Sequence, residues 1–577
     1  MSGGVGLAAR LAGLSPERRT LFELLVLEEV LEPWQQPAAA SSSVPETAPL
    51  SFGQERLWLL DRLDPGNPVY NMVTAIKLTG PLDLPVLARS FAEIVRRHAV
   101  LRTTFREEGG RPVQVPGPAQ AEELPLTDLS GLTNWAEGSS PLGGGGLEQG
   151  GGQEGGVSNS HKRLAPEVLP EGDAPLLTSP LSQPPPAQGG GIPRPTVQDS
   201  ALRQALHAEL AVPFDLARGP LHRLRLFRLG EREHVLVATL HHIVSDAWSM
   251  AVLGRELTAI HAAFTAGLPS PLPELPLQYA DYAREQRARL QGAGLEEQVD
   301  WWRERLAGAP EVVEIPPDRP RPAARRFRGG LCRRLLPLEL SARVTQLGRE
   351  RSVTPFMALL AAFEVVLQAR SGQTDLVVGV DIANRNPPET EALLGFFINQ
   401  LVFRVDASGD PAWSALLERV RETAAGAFAH QDVPFERLVE ELRPQRTLAR
   451  NPLFQVMFGL YNVPEAQAEL GGLEIQPFEI EERAAVFDLS LYLGETADGL
   501  SAMLRYDADL YDAATGERVL DDFEAVLRRV LEAPDERLST LADHLAAERR
   551  RRLEAGREDL QKARLRTLGA ARRRVVE

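Results

Sequence analysis

The sequence HVLVATLHHIVSDAWS occupies residues 234–249 and decides both the fold and the candidate site. Its first seven residues are rich in valine and leucine, which predicts a short buried strand over 234–240. From Asp246 to Phe264, apolar side chains recur at helical spacing along one face. The segment therefore predicts a strand that ends at a pair of histidines, then a turn, and then a helix that begins near Asp246.

The two adjacent histidines predict a site that uses one of them. Consecutive side chains on an extended backbone lie on opposite faces, so His241 and His242 do not readily serve the same site. One is expected to face a cleft and the other to support the structure. The same geometry argues against a metal held by both rings. Since no third ligand cluster stands nearby in the sequence, no metal site is predicted.

Asp246 and Ser249 occupy the start of the predicted helix. A short carboxylate at this position caps backbone N–H groups or binds an arginine, and either contact fixes the loop that carries the histidines. A neutral imidazole on that loop can accept the proton that is released when an amine attacks a thioester, and holding both reactants together supplies much of the rate. Spacing alone also leaves open a purely structural histidine pair.

The composition excludes several classes of protein. A formal charge of −16 disfavours generic nucleic-acid binding. Cys332 is the only cysteine, so an internal disulfide framework and a cysteine-based metal cluster are excluded. No run approaches the ~20 apolar residues of a membrane span, and the N-terminus lacks the pattern of a signal peptide. We therefore expect a cytoplasmic protein whose partners include neither nucleic acid nor a membrane.

The pattern along the chain predicts two α/β lobes, because strands and helices alternate in two successive blocks. A Gly-, Pro- and Ser-rich segment interrupts the first block and is predicted to be a disordered surface insertion. The arginine-rich C-terminal tail is predicted to be either a solvated helix or a docking segment for an acidic partner. The predicted organisation is a helical segment over 1–36, a linker over 37–49, an N-terminal lobe over 50–310 with the insertion over 133–200, a C-terminal lobe over 311–545 and a basic tail over 546–577.

Residues 241–249 resemble the HHxxxDGxS motif of the condensation domains of nonribosomal peptide synthetases. The resemblance extends over about 50–540, apart from the insertion, and the other family motifs appear in the family order. Seven ordered motifs make chance a poor explanation. Segments that resemble family motifs lie at 51–58, 97–105, 279–282, 379–385, 395–401 and 430–435, with further family signatures at 451–455 and 487–490.

The resemblance implies an α/β fold with two lobes, each like a chloramphenicol acetyltransferase subunit, arranged as a V-shaped pseudo-dimer. It also implies a tunnel between the lobes that donor and acceptor phosphopantetheine arms enter from opposite faces. His242 would be the active-site residue, while His241 and Asp246 would hold the loop. The family analogy gives Asp246 an arginine partner, either Arg102 or Arg385, and places four residues along the substrate tunnel: Ala247, Trp248, Ser249 and Asn399.

The sequence departs from the family pattern at several points. The glycine that follows the motif aspartate is Ala247, whose methyl group would narrow the space near the thioester, and the glutamate common in the second motif is Ala99. Together with the opening motif, residues 64–71 resemble those condensation domains that accept an L-configured donor. Neither an adenylation domain nor a carrier domain follows, so we expect a free-standing or excised domain that does not bind ATP.

The function that the resemblance implies is an acyltransferase that joins a carrier-bound acyl, aminoacyl or peptidyl thioester to the amine of an acceptor. Two alternatives remain at this stage. One is an acyltransferase of the same superfamily that acts on a free alcohol or a free amine, and the other is a non-catalytic scaffold that binds carrier proteins and recruits a tailoring enzyme. No bound cofactor is predicted, because the substrates would arrive on the phosphopantetheine arms of carrier proteins.

Overall fold

The computed structural model describes residues 47–552 and 554, with gaps at 120–123, 133–196, 387, 445–446, 448, 462–469, 471, 479 and 481–483. Several predictions lie outside the described residues. They are the helical segment over 1–36, the part over 37–46 of the linker predicted for 37–49, the part over 133–196 of the insertion predicted for 133–200, and the part over 555–577 of the tail predicted for 546–577. The described ends of the linker and the insertion belong to regular elements, because Ala48–Pro49 form a strand and Val197–Ala211 form a helix, so both segments are predicted too long.

The N-terminal lobe is an α/β unit that contains seven strands and five helices of the described chain. The strands are β1 (Ala48–Pro49), β2 (Asn71–Thr79), β3 (Thr103–Glu108), β4 (Arg111–Pro116), β5 (Leu126–Asp128), β6 (His222–Arg228) and β7 (Glu233–His241). The helices are α1 (Phe52–Leu63), α2 (Leu84–Arg97), α3 (Val197–Ala211), α4 (Ala247–Thr265) and α5 (Tyr279–Arg289).

The C-terminal lobe is built in the same way around a larger sheet. A helix that precedes the lobe in sequence, α6 (Ala293–Leu306), packs in its core through Trp302 and its neighbours. The strands of this lobe are β8 (Gly329–Pro337), β9 (Asp375–Ile382), β10 (Asn399–Asp406), β11 (Val456–Tyr461), β13 (Leu489–Thr496) and β14 (Gly499–Asp507), and the same half of the chain also supplies β12 (Glu474–Pro477) to the N-terminal sheet. The helices are α7 (Leu338–Arg351), α8 (Pro355–Ser371), α9 (Trp413–Ala429), α10 (Phe435–Leu442) and α11 (Ala513–Glu532).

The strand that carries the histidine pair lies inside the first sheet, whose order is β12–β2–β7–β6–β5. β7 pairs antiparallel with β2 on one side and with β6 on the other, and it is buried from His234 to His241. Both faces of β7 are covered by protein, which explains why its residues form a continuous apolar run. The predicted buried strand over 234–240 is thus confirmed, as is the helix that begins after Asp246.

Two segments of the C-terminal half cross into the N-terminal lobe. The loop between β9 and β10 places Leu393, Leu394, Phe396 and Phe397 in the apolar core of the N-terminal lobe. Farther along the chain, β12 pairs antiparallel with β2 and so extends the N-terminal sheet. The second sheet, with the order β10–β9–β11–β13–β14–β8, stays within the C-terminal lobe. The loop between β9 and β10, here called the crossing loop, brings Phe396 and Phe397 to the end of β7, whereas β12 lies near the start of that strand.

The described start of the basic tail packs against the C-terminal lobe. Residues 538–552 are helical, and Leu538, Leu541 and Leu545 are buried in the core of that lobe. Arg549 binds the buried Asp522 of α11 at 2.7 Å, and Arg552 binds Asp521 at 2.9 Å. These two arginines of the predicted docking segment are therefore engaged within the chain.

Among the described helices, no single one is long and apolar enough to cross a membrane. One pair, α7 and α8, has the length and composition of a span when its members are taken together, with a bend of 107° between them. The apolar residues of α8 are buried in the core of the C-terminal lobe.

Candidate active site

His241 ends β7 and is buried, with 4% of its surface exposed. Its Nδ1 accepts a hydrogen bond from the backbone N–H of Ile243 at 3.1 Å, so a neutral ring carries its proton on Nε2. The rings of Tyr70 and Phe214 lie beside it, with centroids at 6.3 and 6.1 Å. Burial, with a smaller contribution from the neighbouring His242, lowers the pKa of His241 to about 3. His241 is therefore a neutral residue that supports the turn.

His242 opens the single 3₁₀ turn that follows the strand and remains partly exposed. Its Nδ1 donates a hydrogen bond to the carbonyl of Ser245 at 2.7 Å, and its ring makes a T-shaped contact with Phe396, the centroids being 4.8 Å apart. Burial lowers the pKa of His242, while the Ser245 carbonyl and the charge of Asp246 oppose the shift. The neutral ring therefore keeps its proton on Nδ1 and directs the Nε2 lone pair away from the turn, as a general base requires.

Asp246 is fully buried and is the N-cap of α4. Its carboxylate accepts hydrogen bonds from the backbone N–H of Ser249 at 2.7 Å and from that of Phe397 at 3.1 Å. The guanidinium of Arg385 binds both of its oxygens, at 3.0 and 3.3 Å. This one carboxylate therefore binds the start of α4, the loop between β9 and β10, and Arg385, and it holds the three in a fixed arrangement.

The arginine partner of Asp246 is Arg385, which follows β9 and is itself 5% exposed. Arg385 also donates to the carbonyls of Thr390 and Leu393, so it organises the crossing loop. The alternative pairing of Asp246 with Arg102 is wrong. The guanidinium of Arg102 instead donates to the carbonyl of Gly117, just after β4. The sequence left both arginines open because the pairing depends on where the crossing loop enters the N-terminal lobe.

The structure corrects the tunnel assignment of Ser249 and Asn399. Ser249 has no exposed surface, and its hydroxyl lies 2.7 Å from Asp246, 2.9 Å from Arg385 and 2.9 Å from the carbonyl of Gly395. Asn399 uses its amide in the same way, since it donates to the carbonyls of Gln431 and Val433 and accepts from two backbone N–H groups. Both side chains support the site, because their polar atoms are satisfied within the protein.

The other two predicted tunnel residues remain at the surface of the helix start. Ala247 is exposed as the first residue of α4, and Trp248 is partly exposed. The indole N–H of Trp248 donates to the carbonyl of Glu391 at 2.9 Å, which ties α4 to the crossing loop. That Ala247 narrows the space near a thioester stays a prediction.

The first helix supports the turn that carries His242, a contact that the spacing of the motifs does not predict. Ser51 caps α1, and the side-chain amide of Gln54 donates to the carbonyl of Ile243 at 3.2 Å. Tyr279 of α5 accepts a hydrogen bond from Ser51 at 2.8 Å and donates to the carbonyl of Phe396 at 2.5 Å. The motifs at 51–58 and 279–282 contain these residues, so the sequence marks them as conspicuous but does not predict which groups they contact.

Gly395 lets the crossing loop approach Tyr279. Its φ is 156°, and a Cβ atom at this position would lie 1.9 Å from the Tyr279 ring. No side chain fits at that distance, so only glycine permits the contact. The loop that carries Phe396 to His242 therefore depends on this residue.

Arg56 joins the two lobes beside His242. Its guanidinium donates to the side chain of Gln400 at 3.2 Å and to that of Glu436 at 3.3 Å, both in the C-terminal half. The positive charge of Arg56 contributes to the lowered pKa of His242. Arg56 thus favours the neutral imidazole, a role that its motif at 51–58 does not by itself indicate.

The side chains of the site do not form a metal centre. Within the part of the chain that the structure describes, no group of three or more His, Cys, Asp or Glu side chains is placed to hold a metal ion. The charged groups at the site are instead paired with each other through Asp246 and Arg385.

Comparison with known proteins agrees with this geometry. The family model named Condensation domain matches residues 44–139 and 194–552. A linear gramicidin synthase polypeptide of Brevibacillus parabrevis is 37% identical over 541 residues, which cover 92% of this chain and 6% of that protein. The chain thus spans only a small part of the length of that relative.

Two solved structures share the fold. The X-domain of teicoplanin biosynthesis, solved in complex with OxyB, is 27% identical with a TM-score of 0.70, over 88% of this chain and 98% of that one. SgcC5 of Streptomyces globisporus, solved with a naphthyl ethanediol and sucrose, is 25% identical with a TM-score of 0.62, over 85% of this chain and 100% of that one. These likenesses agree with the two-lobed architecture described above.

Proposed function

The chain belongs to the condensation domain family of nonribosomal peptide synthetases, and from this premise we propose that it is an amide-forming acyltransferase. Its donor would be an acyl, aminoacyl or peptidyl thioester on one carrier protein, and its acceptor would be an amine on a second carrier. Phosphopantetheine arms would bring both groups into the channel between the lobes.

The observation that carries this proposal is that the His242 ring is neutral and has a free lone pair on Nε2. Its Nδ1 proton is held by the Ser245 carbonyl, and burial keeps the ring neutral, so Nε2 can take a proton from an attacking amine. The amine nitrogen then bonds to the thioester carbonyl carbon, and the C–S bond breaks. His242 returns the proton to the departing thiolate. Atoms and charge balance without a covalent enzyme intermediate.

The buried network around Asp246 would fix the position of this base. Asp246 and Arg385 join the turn that carries His242 to the crossing loop that carries Phe396. His242 must lie within hydrogen-bond distance of the acceptor amine. A rigid turn keeps it there, and a displaced ring would lose the rate that comes from holding the reactants together. Asp246 is therefore a positioning residue.

A test would reconstitute the chain with a donor-loaded carrier protein and three acceptors in separate reactions: an aminoacyl carrier, a free amine and a free alcohol. Mass spectrometry would identify the product. The proposal predicts an amide on the acceptor carrier. A product formed only on a free acceptor would refute it and favour the free-acceptor alternative, for which the diol-bound structure of SgcC5 is the specific support.

A second candidate function is a scaffold that binds a partner enzyme. The observation that favours it is the X-domain–OxyB complex, whose X-domain shares this fold at 27% identity. Under this function, the chain would bind carrier proteins and a tailoring enzyme and form no product with any acceptor. The neutral, positioned His242 favours catalysis, because a scaffold needs no base at the end of β7.

A further inference from the structure

The ring of Phe396 contacts both the first helix and His242. Its centroid lies 4.8 Å from that of the imidazole, and the two rings are inclined at 78°. At Gly53 of α1, an added Cβ atom would lie 2.7 Å from the Phe396 ring, so the ring lies directly against the backbone of the helix. Phe396 is buried, with 8% of its surface exposed. A side chain at Gly53 would therefore force the ring to move and would change its contact with His242.

The crossing loop fixes the point from which this ring projects. The Phe396 carbonyl accepts a hydrogen bond from the Tyr279 hydroxyl at 2.5 Å, and the N–H of the same peptide group donates to Asp246 at 3.1 Å. One residue earlier, the N–H of Gly395 donates to the Ser249 hydroxyl at 3.1 Å. All three partner side chains are buried and belong to the N-terminal lobe. The backbone at Phe396 is therefore held in a fixed position relative to α4 and α5.

The hydrogen bond of His242 does not by itself fix the plane of its ring. The Ser245 carbonyl accepts the Nδ1 proton at 2.7 Å and so determines which nitrogen keeps the lone pair. The χ2 torsion of a histidine has broad minima, so a ring that is bonded at one atom can still turn. The T-shaped contact with Phe396 adds a second restraint on this torsion. An imidazole that is held by both contacts keeps Nε2 in one direction.

We propose that Phe396 is a positioning residue for the base, and that its ring holds the His242 imidazole in the orientation that directs Nε2 at the acceptor amine. This inference rests on the proposed function, because it takes His242 as the base of amide formation. The base comes from the N-terminal half of the chain, and the residue that orients it comes from the C-terminal half.

The first measurement is the steady-state rate of amide formation with donor and acceptor carrier proteins. Phe396→Ala should lower kcat by about 10- to 100-fold, because a misplacement of about 1 Å can cost as much as 100-fold. KM for the acceptor carrier should stay unchanged, since the contact with His242 contributes to the chemical step and not to carrier binding. Phe396→Leu keeps an apolar side chain in the core and should have an intermediate kcat.

Gly53→Ala perturbs the same contact from α1 and leaves Phe396 in the core. Its methyl group should displace the ring and lower kcat by about tenfold. Gly254→Ala is the matched control, because this glycine lies in α4 where an added Cβ atom has no neighbour within 4 Å, and it should keep the wild-type kcat. In the Phe396→Ala chain, Gly53→Ala should cost nothing further, since the ring that it displaces is absent. Thermal denaturation verifies that each variant is folded, and Gly53→Ala remains decisive if Phe396→Ala fails to fold.

A second measurement follows the His242 ring itself and does not depend on turnover. In the NMR spectrum of isotope-labelled histidine, the chemical shift of Cδ2 reports which nitrogen of a neutral ring carries the proton. The His242 signal is the one that disappears in His242→Ala. The wild-type chain should show the Nδ1-protonated tautomer alone. Phe396→Ala should show both tautomers, because the released ring turns and its hydrogen bond to Ser245 is lost in part of the population.

An unchanged kcat in Phe396→Ala, or a His242 tautomer that is unchanged in both Phe396→Ala and Gly53→Ala, would overturn the positioning role. A full additional loss from Gly53→Ala in the Phe396→Ala chain would overturn it as well. The two proposals fail separately. A chain that forms no amide but changes its His242 tautomer in Phe396→Ala would refute the proposed function alone, whereas amide formation that is indifferent to Phe396 would refute the positioning role alone.

Discussion

Asp246→Ala tests the buried ion pair that joins the start of α4 to Arg385. The change removes the N-cap of α4 and leaves the guanidinium of Arg385 buried without its carboxylate. Breaking a buried ion pair on one side costs about 3–5 kcal/mol. At about 2–4 °C per kcal/mol, the melting temperature should fall by about 6–20 °C. Amide formation should fall as well, because the turn that holds His242 loses its anchor.

A double-mutant cycle separates the ion pair from the other contacts of its members. Arg385→Ala alone should cost a similar amount, because it leaves Asp246 buried and unpaired. The double variant should cost less than the sum of the two, since it removes both buried charges. The partly exposed pair Lys77–Glu233 is the matched control, and its cycle should give a coupling of about 0–1 kcal/mol.

Denaturant unfolding would give the free energies of unfolding for all four chains of the cycle. If the two substitutions lowered the free energy of unfolding additively, Asp246 and Arg385 would not be coupled, and the ion pair would not be what holds the turn. Unchanged stability with lost activity in Asp246→Ala would assign the carboxylate a direct part in the chemistry.

Three further predictions concern titration and the insertion. Because burial lowers the pKa of His242 below 6.5, the limb of the pH–rate profile that reports His242 should lie below pH 6.5, separate from the limb of the acceptor α-amine at about pH 7.7–8.0; Arg56→Gln should move only the His242 limb, to higher pH, and an unmoved limb would remove Arg56 from the site. Burial raises the pKa of Glu364 to about 8, so the folded chain loses stability as the pH rises from 4.5 to 8; Glu364→Gln should therefore raise the melting temperature more at pH 8 than at pH 5, and an equal rise at both would contradict it. Deletion of residues 135–195, closed by a short linker between β5 and α3, should leave the fold intact by circular dichroism and thermal denaturation, and loss of cooperative unfolding would show that the segment packs.

The sequence was most informative where the pattern is local. The apolar run before His241 and the cap at Asp246 predict a strand, a turn and a helix, because strand burial and helix capping depend on neighbouring residues. The resemblance to a family supplied the two lobes and the assignment of His242. Both the buried strand and the start of α4 agree with those predictions.

Contacts between distant parts of the chain could not be predicted in the same way. The choice of Arg385 over Arg102 depends on a loop that crosses from one lobe into the other. The burial of Ser249 depends on Gly395, which lies 146 residues away along the chain. No periodicity or spacing records such a crossing, so the sequence does not predict that Ser249 and Asn399 are buried and support the site.

The central claim is that His242 accepts the proton of the attacking amine. The most direct measurement is the single-turnover rate of amide formation on an acceptor carrier protein, followed by mass spectrometry for the wild-type chain, for His242→Ala and for His544→Ala, whose exposed histidine is the matched control. The claim predicts a folded His242→Ala chain whose rate is lower by about 10²-fold or more, with the control at the wild-type rate. A near wild-type rate in His242→Ala would contradict it.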